Sequence, residues 1–204
     1  MTPLVPLEIS PAEPRHAAGL AALFASNGYG CFCRFWHFDG TSREWLERCA
    51  QRPDENRSEM QACLAQGSPE MWGLVACREG EVIGWLKLSP AATLGKLYGQ
   101  RLYKGLACLE GAREGVFTVA CLLVREDVRH RGVAHALLAG AIAHAPRWGA
   151  RVIEAFPRSD PELADAALML GPAQLFLSAG FEVVRDFYPY PVLRRVLPSA
   201  GADQ

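Results

Sequence analysis

The sequence predicts a mixed α/β fold built on one central strand and the helix that follows it. Residues 116–124 are almost wholly apolar and rich in β-branched side chains, as expected of a strand that is covered on both faces. In residues 133–145 apolar side chains recur at helical spacing and form one stripe. A further apolar strand is predicted over residues 151–156, and a helical crossover makes two such strands parallel.

The elements before the central strand are predicted from local patterns. A short strand is predicted over residues 4–9, and a helix over residues 17–27 stops at a glycine, which favours a C-terminal cap. Thr41 and Glu44 have the spacing of a capping box at the start of a second helix, and helical sequence continues over residues 55–65.

The remaining elements complete the sheet. Strands are predicted over residues 71–77, 81–88, 181–187 and 192–197, and a short helix over residues 171–179. The first two of these strands are joined by a short turn, which predicts an antiparallel hairpin. Residues 91–115 show weak patterning and are predicted to be a long loop, which in a compact domain is usually functional or disordered.

Length and composition fit one domain. The chain has 204 residues, of which 50% are hydrophobic and 21% are charged. We expect a single domain over residues 1–204, with a helical and aromatic elaboration at about residues 28–67. The formal net charge of −1 gives no global field that would favour nucleic acid or an acidic membrane surface.

The sequence also predicts a cytoplasmic protein with reduced thiols. Its first ten residues lack a basic leader and a long apolar run, and no segment approaches the roughly 18 unbroken apolar residues of a membrane span. The seven cysteines are an odd number without a disulfide framework, so free thiols are the simplest interpretation.

The junction between the central strand and its helix favours an anion. Residues 129–134 (RHRGVA) precede a helix whose first N–H groups lack intrahelical partners and carry partial positive charge. Gly132 allows a ligand to approach the backbone closely, and Arg129 and Arg131 add full charges. This arrangement suits a phosphate or pyrophosphate. The alternative is an ordinary turn with a solvated basic face.

Two motifs together resemble one protein family. Residues 122–124 (LLV), followed after five residues by Arg129-x-x-Gly132-x-Ala134, resemble the acetyl-CoA signature Arg/Gln-x-x-Gly-x-Gly/Ala of the GNAT (GCN5-related) N-acetyltransferases. Residues 175–181 (LFLSAGF) resemble the late helix of the same family, which ends in Gly-Phe before the next strand. The resemblance covers roughly residues 72–197, and it implies a GNAT fold: a central mixed sheet flanked by helices, in which two parallel strands splay apart.

The resemblance also implies a donor and a site for it. Acetyl-CoA would serve as the acyl donor, without a metal, in the split at the carboxyl end of the central strand, where ligands of open α/β sheets bind. Backbone groups of Leu122, Leu123 and Val124 would bind the pantetheine and stabilise the thioester oxygen. The pyrophosphate would lie on the loop formed by Arg129, His130, Arg131, Gly132, Val133 and Ala134.

Two catalytic residues of many family members are missing. Phe176 occupies the position of a tyrosine that acts as general acid, and Thr118 appears at the position of a glutamate that acts as base. Glu154 interrupts an apolar strand next to the predicted cleft, so we predict it as the base. The alternative is a carboxylate that lies on the open face of the strand or pairs with an arginine. Tyr188, in the last loop between strands, is the second candidate catalytic residue.

The acceptor would meet an aromatic wall. In the family, the loop between the first two helices borders the acceptor, and here it contains Cys31, Phe32 and Trp36, while Tyr190 lies in the last loop. Aromatic rings there would suit an apolar, aromatic or cationic acceptor. Cys31 and Cys33 admit three interpretations: half of a zinc site, a reactive thiol that relays the acyl group, or small apolar residues packed in the core.

The first hypothesis is therefore an acetyl-CoA-dependent N-acetyltransferase in which an amine attacks the thioester directly. The acceptor would be a small-molecule amine or an exposed amino group, with no nucleic acid or membrane involved, and the apolar last strands could pair two subunits as a homodimer. The alternative is an acyl-CoA-binding sensor or regulatory module without turnover. A nucleotide-binding protein is disfavoured, because the sequence lacks a Gly-x-x-x-x-Gly-Lys loop.

Overall fold

A seven-stranded mixed sheet is the centre of the fold in the computed structural model, which describes residues 6–159 and 170–198. The strands are β1 (Glu8–Pro11), β2 (Gly73–Arg78), β3 (Glu81–Pro90), β4 (Val116–Val124), β5 (Val152–Ala155), β6 (Glu182–Arg185) and β7 (Val192–Val196). Their order in the sheet is β1-β2-β3-β4-β5-β7-β6. Strands β4 and β5 are parallel and the other neighbours are antiparallel, which confirms the predicted mixed sheet.

Helices cover both faces of this sheet. They are α1 (Ala17–Ser26), α2 (Ser42–Gln51), α3 (Pro53–Ala65), α4 (Gly95–Tyr98), α5 (Val133–His144) and α6 (Ala173–Ser178). One face packs its core against α5 and α6, where Leu137, Leu138 and Phe176 are fully buried. The opposite face packs against α1 and α3 through a separate cluster that includes Trp85 and Met60. We call the face that packs against α1 and α3 the inner face of the sheet.

Local signals account for the helix ends. Thr41 and Glu44 form the predicted capping box at the start of α2. The helical sequence that was expected to continue as one element is divided into α2 and α3 at Arg52, because Pro53 has no N–H to donate and favours the first position of a new helix.

The predicted long loop is wrong in part. Residues 91–115 contain the short helix α4 and two turns of 3₁₀-helix, and Leu94, Leu97 and Tyr103 are buried beneath them in a third core cluster. Short turns of this kind lack the periodicity that identifies a longer helix. The segment therefore covers the inner face of the sheet next to β4 and β5.

The structure shifts the first strand from its predicted position. The first strand lies at Glu8–Pro11 rather than at residues 4–9, whose first two positions are outside the described residues. All seven cysteines are free thiols. Among the described helices, none combines the length and the apolar character that crossing a membrane requires.

Candidate functional site

The sheet opens at the carboxyl end of β4. Strand β5 pairs with β4 between Val116↔Val152 and Val119↔Ala155 and then ends, whereas β4 continues to Val124 beside β3. The N–H of Arg125 bonds to Ile83 O on β3, so alternate residues Leu122 and Val124 direct their backbone groups away from β3, toward the side that β5 has left. The predicted splay of the two parallel strands is present.

A β-bulge lies where the two strands part. Lys87 pairs with Cys121 and Leu88 pairs with Val119, so Ala120 is an extra residue on β4. The Ala120 carbonyl accepts a hydrogen bond from Trp36 Nε1 at 3.1 Å. Because of the bulge, Ala120 and Cys121 both pack on the inner face of the sheet, next to the mouth of the split.

The loop between β4 and α5 has an open backbone. Gly132 caps α5 with φ +80°, a left-handed conformation, and a Cβ added there would meet no atom within 4 Å. The first turn of α5 follows at once, with its unpartnered N–H groups. Arg131 and His130 are exposed beside the glycine. An anion can therefore approach this backbone without obstruction.

Arg129 holds the loop in place. Its Nε donates to Val124 O at 3.2 Å, and its guanidinium also donates to Asn27 Oδ1 at 2.9 Å. Asn27 is the C-cap of α1, so one side chain links the end of β4 to the end of α1. The positive charge of Arg129 lies next to the loop, and the two acceptors of its hydrogen bonds, Val124 O and Asn27 Oδ1, are both uncharged.

A largely apolar cleft connects these features. It has a volume of about 210 Å³ and is lined by Phe24, Tyr29, Cys31, Cys121, Leu122, Leu123, Val124, Val128, Arg129, His130, Gly132, Val133, Ala134, His135, Gly171, Pro172 and Leu175. Eight of the nine residues predicted to bind the donor line this cleft, and Arg131 is the exception. Their contact with a donor stays a prediction.

Glu154 lies at the centre of a buried ion-pair network. It is fully buried on β5, and its carboxylate contacts Arg113 at 2.5 Å and Arg194 at 2.6 Å. The Tyr98 hydroxyl donates to Glu154 Oε2 at 2.7 Å and lies 2.6 Å from Thr118 Oγ1. Burial and the adjacent carboxylate raise the pKa of Tyr98. The geometry matches the ion-paired alternative for Glu154, and its role as a base stays a prediction.

The predicted acceptor residues separate in space. Cys31 lines the cleft, and Trp36 lies at the β4 bulge. Phe32 is instead buried beneath α1, with its ring centroid 5.7 Å from that of Phe24, so the structure assigns it to the core. Tyr188 is 67% exposed, and the ring of Tyr190 lies under the Arg158 guanidinium at 5.5 Å. Neither tyrosine lines the cleft.

Trp36 lines a second cavity. Its volume is about 410 Å³, and it is lined by Trp36, His37, Phe38, Asp39, Gly40, Glu70, Thr93 and Lys96. The Lys96 ammonium lies 4.6 Å from the ring centroid of Phe35 and donates to Phe38 O. This cavity is more polar than the cleft and contains both acidic and basic side chains.

Lys87 is a functional candidate that the sequence analysis missed. It is fully buried on β3, donates to Cys33 O at 3.2 Å and lies 2.8 Å from His37 Nε2. Trp85 Nε1 donates to Cys33 Sγ at 3.4 Å. Like Glu154, Lys87 is a lone charge within an apolar strand, and this pattern was available in the sequence.

The cysteine cluster has an unusual electrostatic environment. Burial alone would raise the pKa of the Cys33 thiol, but a hydrogen bond from Cys121, the ammonium of Lys87 and the indole of Trp85 together lower it to about 6. The bond to Cys33 and burial raise the pKa of Cys121 well above its usual value. Within the described ranges no group of three or more His, Cys, Asp or Glu side chains is placed to hold a metal ion.

The comparison with known families agrees with the fold. Residues 35–169 match the model of the acetyltransferase (GNAT) family, and this match covers well over half of the chain. The chain therefore belongs to the GNAT family of N-acetyltransferases, which confirms the predicted family and the acyltransferase class. No curated protein matches the sequence closely enough to count as a relative.

Solved structures show the same fold at low identity. A GCN5-related N-acetyltransferase from Kribbella flavida is 19% identical, with a TM-score of 0.56 over 94% of this chain and 98% of that one. A GNAT acetyltransferase from Streptococcus pneumoniae is 16% identical, with a TM-score of 0.55 over 95% and 100%. The yncA protein of Salmonella typhimurium, solved with its cofactor acetyl-CoA, is 17% identical, with a TM-score of 0.54 over 97% and 98%.

Proposed function

We propose that this protein transfers an acetyl group from acetyl-CoA to an amine by direct attack within a ternary complex. The observation that carries the proposal is the cleft beside the carboxyl end of β4, which joins the open backbone at Gly132 to the edge of β4 that β5 leaves unpaired. Acetyl-CoA as donor is also supported by the family match and by the acetyl-CoA in the yncA structure.

The charged, apolar and thioester parts of acetyl-CoA each have a matching part of the cleft. The pyrophosphate would lie on the first N–H groups of α5, beside Gly132, where no side chain intrudes. The pantetheine would follow the apolar wall of Leu122, Val133 and Leu175. The backbone N–H of Leu122 points into the split and would donate to the thioester oxygen, where negative charge develops during attack.

The acceptor would approach the thioester near the β4 bulge. Trp36 bonds to the bulge carbonyl and lines the second cavity. We propose that Cys31 and Trp36 form the wall of the acceptor site, with Tyr190 and Tyr188 farther out on the last loop. The acceptor class is a small-molecule amine or an exposed amino group, and we propose the cytoplasm as the location because all seven thiols are free.

Amine screening tests the reaction. We would incubate the protein with acetyl-CoA and a panel of aliphatic, arylalkyl and polyamine acceptors, amino acids and lysine-containing peptides, and follow release of the CoA thiol. Release that depends on an added amine supports the transferase. Saturable binding of acetyl-CoA without release for any amine would instead favour the regulatory, acyl-CoA-sensing alternative.

Substitution of Gly132 tests the donor site. Gly132→Asp adds a strained side chain and a negative charge beside the proposed pyrophosphate, so we expect acetyl-CoA affinity in calorimetry to fall by about 100-fold or more. Gly149→Asp is the matched control, because Gly149 has φ +85° and equally open space, but it lies beyond the far end of α5. Equal affinity of the two variants would show that the loop is a structural turn.

We also propose that two copies pair through the last strands. β6 is an edge strand, and Val183, Phe187 and Val196 on and beside it are 47%, 47% and 73% exposed. Val196→Lys is expected to convert a dimer to a monomer in light scattering, whereas Leu46→Lys, which removes a 67% exposed leucine on α2, is expected to leave the mass unchanged. A monomeric wild type would refute the pairing.

A further inference from the structure

We propose that Lys87 is a positioning residue for the acceptor, because its buried amino group fixes the segment of residues 31–38 that carries the proposed acceptor wall. We call this segment the acceptor loop. The inference rests on the proposed function, since it explains how Cys31 and Trp36 keep their place beside the thioester. Lys87 acts through the loop, because it lines neither the cleft nor the second cavity.

The acceptor loop reaches both the cleft and the β4 bulge. Its first residue, Cys31, lines the cleft together with Leu122, whose N–H is proposed to meet the thioester oxygen. Trp36 Nε1 donates to the carbonyl of the bulge residue Ala120 at 3.1 Å. A shift of the loop would therefore move two groups that border the space where an amine would attack, and small misplacements of bound substrates slow a reaction between them.

The backbone of the acceptor loop is strained. Phe32 and Cys33 follow one another with φ of +41° and +60°, in the left-handed region that residues other than glycine rarely adopt. Strained residues of this kind persist only when the surrounding structure holds them in place. The conformation of the loop therefore depends on groups outside it.

Lys87 provides two contacts that hold the loop. It is fully buried, its Nζ donates to Cys33 O at 3.2 Å, and the same nitrogen lies 2.8 Å from His37 Nε2. One amino group thus joins the left-handed turn to the later part of the loop. Two residues earlier on the same face of β3, Trp85 Nε1 donates to Cys33 Sγ at 3.4 Å. Strand β3 therefore holds Cys33 both by its carbonyl oxygen and by its sulfur.

The contact with His37 requires a neutral imidazole. Burial and the charge of Lys87 lower the pKa of His37 to about 3, so at neutral pH the ring is uncharged and its Nε2 can accept a hydrogen bond from the lysine. The ring proton then lies on Nδ1, which is 3.8 Å from Glu70 Oε2. Lys87 can therefore donate to both of its partners at once.

The lysine and the acceptor loop depend on each other. Within the described part of the chain, both hydrogen-bond partners of Lys87 Nζ belong to the loop. A buried amino group without partners is costly, so movement of the loop away from β3 would leave Lys87 unsatisfied. This penalty opposes the movement even when no acceptor is bound. The acceptor wall is therefore formed in advance, which lowers the cost of ordering it when an amine binds.

The kinetics of a Lys87 variant test this role. With the best amine from the screen and saturating acetyl-CoA, Lys87→Met is expected to raise KM for the amine about tenfold or more and to change kcat less, because the loosened wall binds the acceptor poorly. The affinity for acetyl-CoA in calorimetry should stay within about twofold of wild type. The matched control is Ser89→Ala, which should keep the wild-type KM. Ser89 is fully buried on the same face of β3, and its Oγ has no hydrogen-bond partner among the described residues.

Hydrogen exchange followed by mass spectrometry gives a readout that does not depend on catalysis. The amides of Arg34 and His37 are hydrogen-bonded within the acceptor loop, so they report on its opening. Amides of residues 31–38 should exchange about tenfold faster in Lys87→Met than in Ser89→Ala, while the amides of β4 should exchange equally in both. Exchange that is accelerated to the same extent in β4 would mean a general loss of stability and would overturn the positioning role.

Variants of His37 provide a second test that leaves Lys87 in place. His37→Phe retains a ring but removes an acceptor of Lys87, so KM for the amine should rise about threefold, and His37→Gln, which keeps an accepting oxygen, should retain the wild-type value. Equal KM and equal loop exchange in Lys87→Met and Ser89→Ala, or in His37→Phe and His37→Gln, would overturn the positioning role while the transferase stands. A wild type that acetylates no amine would overturn both.

Discussion

Glu154→Ala is expected to destabilise the protein by about 3 kcal/mol, because it removes the carboxylate from a buried network and leaves its partners without a counter-charge. Arg113 and Arg194 are 22% and 28% exposed, so solvent screens part of the loss. The Tyr98 hydroxyl also loses an acceptor. In thermal unfolding, the midpoint should fall by about 10 °C.

Two further variants test whether the loss of stability comes from the buried network and whether Glu154 acts as the base. Glu182→Ala removes an exposed glutamate that faces the same Arg194 from β6, and we expect little change in stability. Glu154→Gln keeps an acceptor for Tyr98, so it allows kcat to be measured on a folded enzyme. If Glu154 is the base, kcat should fall 100-fold or more, and if it is solely an ion-pair partner, kcat should be nearly unchanged.

Acid is expected to destabilise the protein, and His37 is the main cause. Its pKa is about 3 in the folded protein and near 6.5 when unfolded, so below about pH 6.5 the unfolded chain binds a proton that the folded protein does not. Stability is therefore lost as pH falls from about 6.5 to about 3. The lowered pKa of Glu70 adds a loss of the same sign at the acidic end.

Substitution of His37 distinguishes its contribution to the pH dependence of stability from those of the other titratable groups. His37→Gln keeps an oxygen that can accept from Lys87 but does not titrate, so the free energy of unfolding in urea should depend less steeply on pH than in wild type. His135→Gln, at an exposed histidine on α5, should keep the wild-type slope. Identical slopes for both variants would mean that His37 binds a proton at the same pH in the folded protein as in the unfolded chain.

Local patterns were sufficient for the elements that form the donor cleft. The apolar run of β4 and the stripe of α5 predicted both elements, and Gly132 marked the turn between them. The bulge at Ala120 was not predictable, because it is set by the register between β3 and β4. That register places Cys121 on the inner face beside Ala120, whereas simple alternation would have placed them on opposite faces.

Contacts between distant segments explain the remaining differences. The burial of Glu154 followed from its place in an apolar strand, but its partners Arg113, Arg194 and Tyr98 lie 40 to 56 residues away along the chain. Phe32 was expected at the acceptor because it lies in an aromatic loop, and tertiary packing against Phe24 buried it instead. Nothing in the local sequence distinguishes an aromatic residue of a pocket from one of the core.

The two hydrogen bonds of Arg129 would make the proposed donor and acceptor sites thermodynamically dependent on each other. Because one guanidinium joins the end of β4 to Asn27, a donor that rearranges the loop also acts on the segment after α1, which contains Tyr29 and Cys31 of the same cleft. Linkage requires that this influence be reciprocal. Occupancy of the donor site should thus change acceptor affinity by the same factor as the acceptor changes donor affinity. Loss of the side-chain amide oxygen of Asn27, which accepts from Arg129, should weaken that cooperativity.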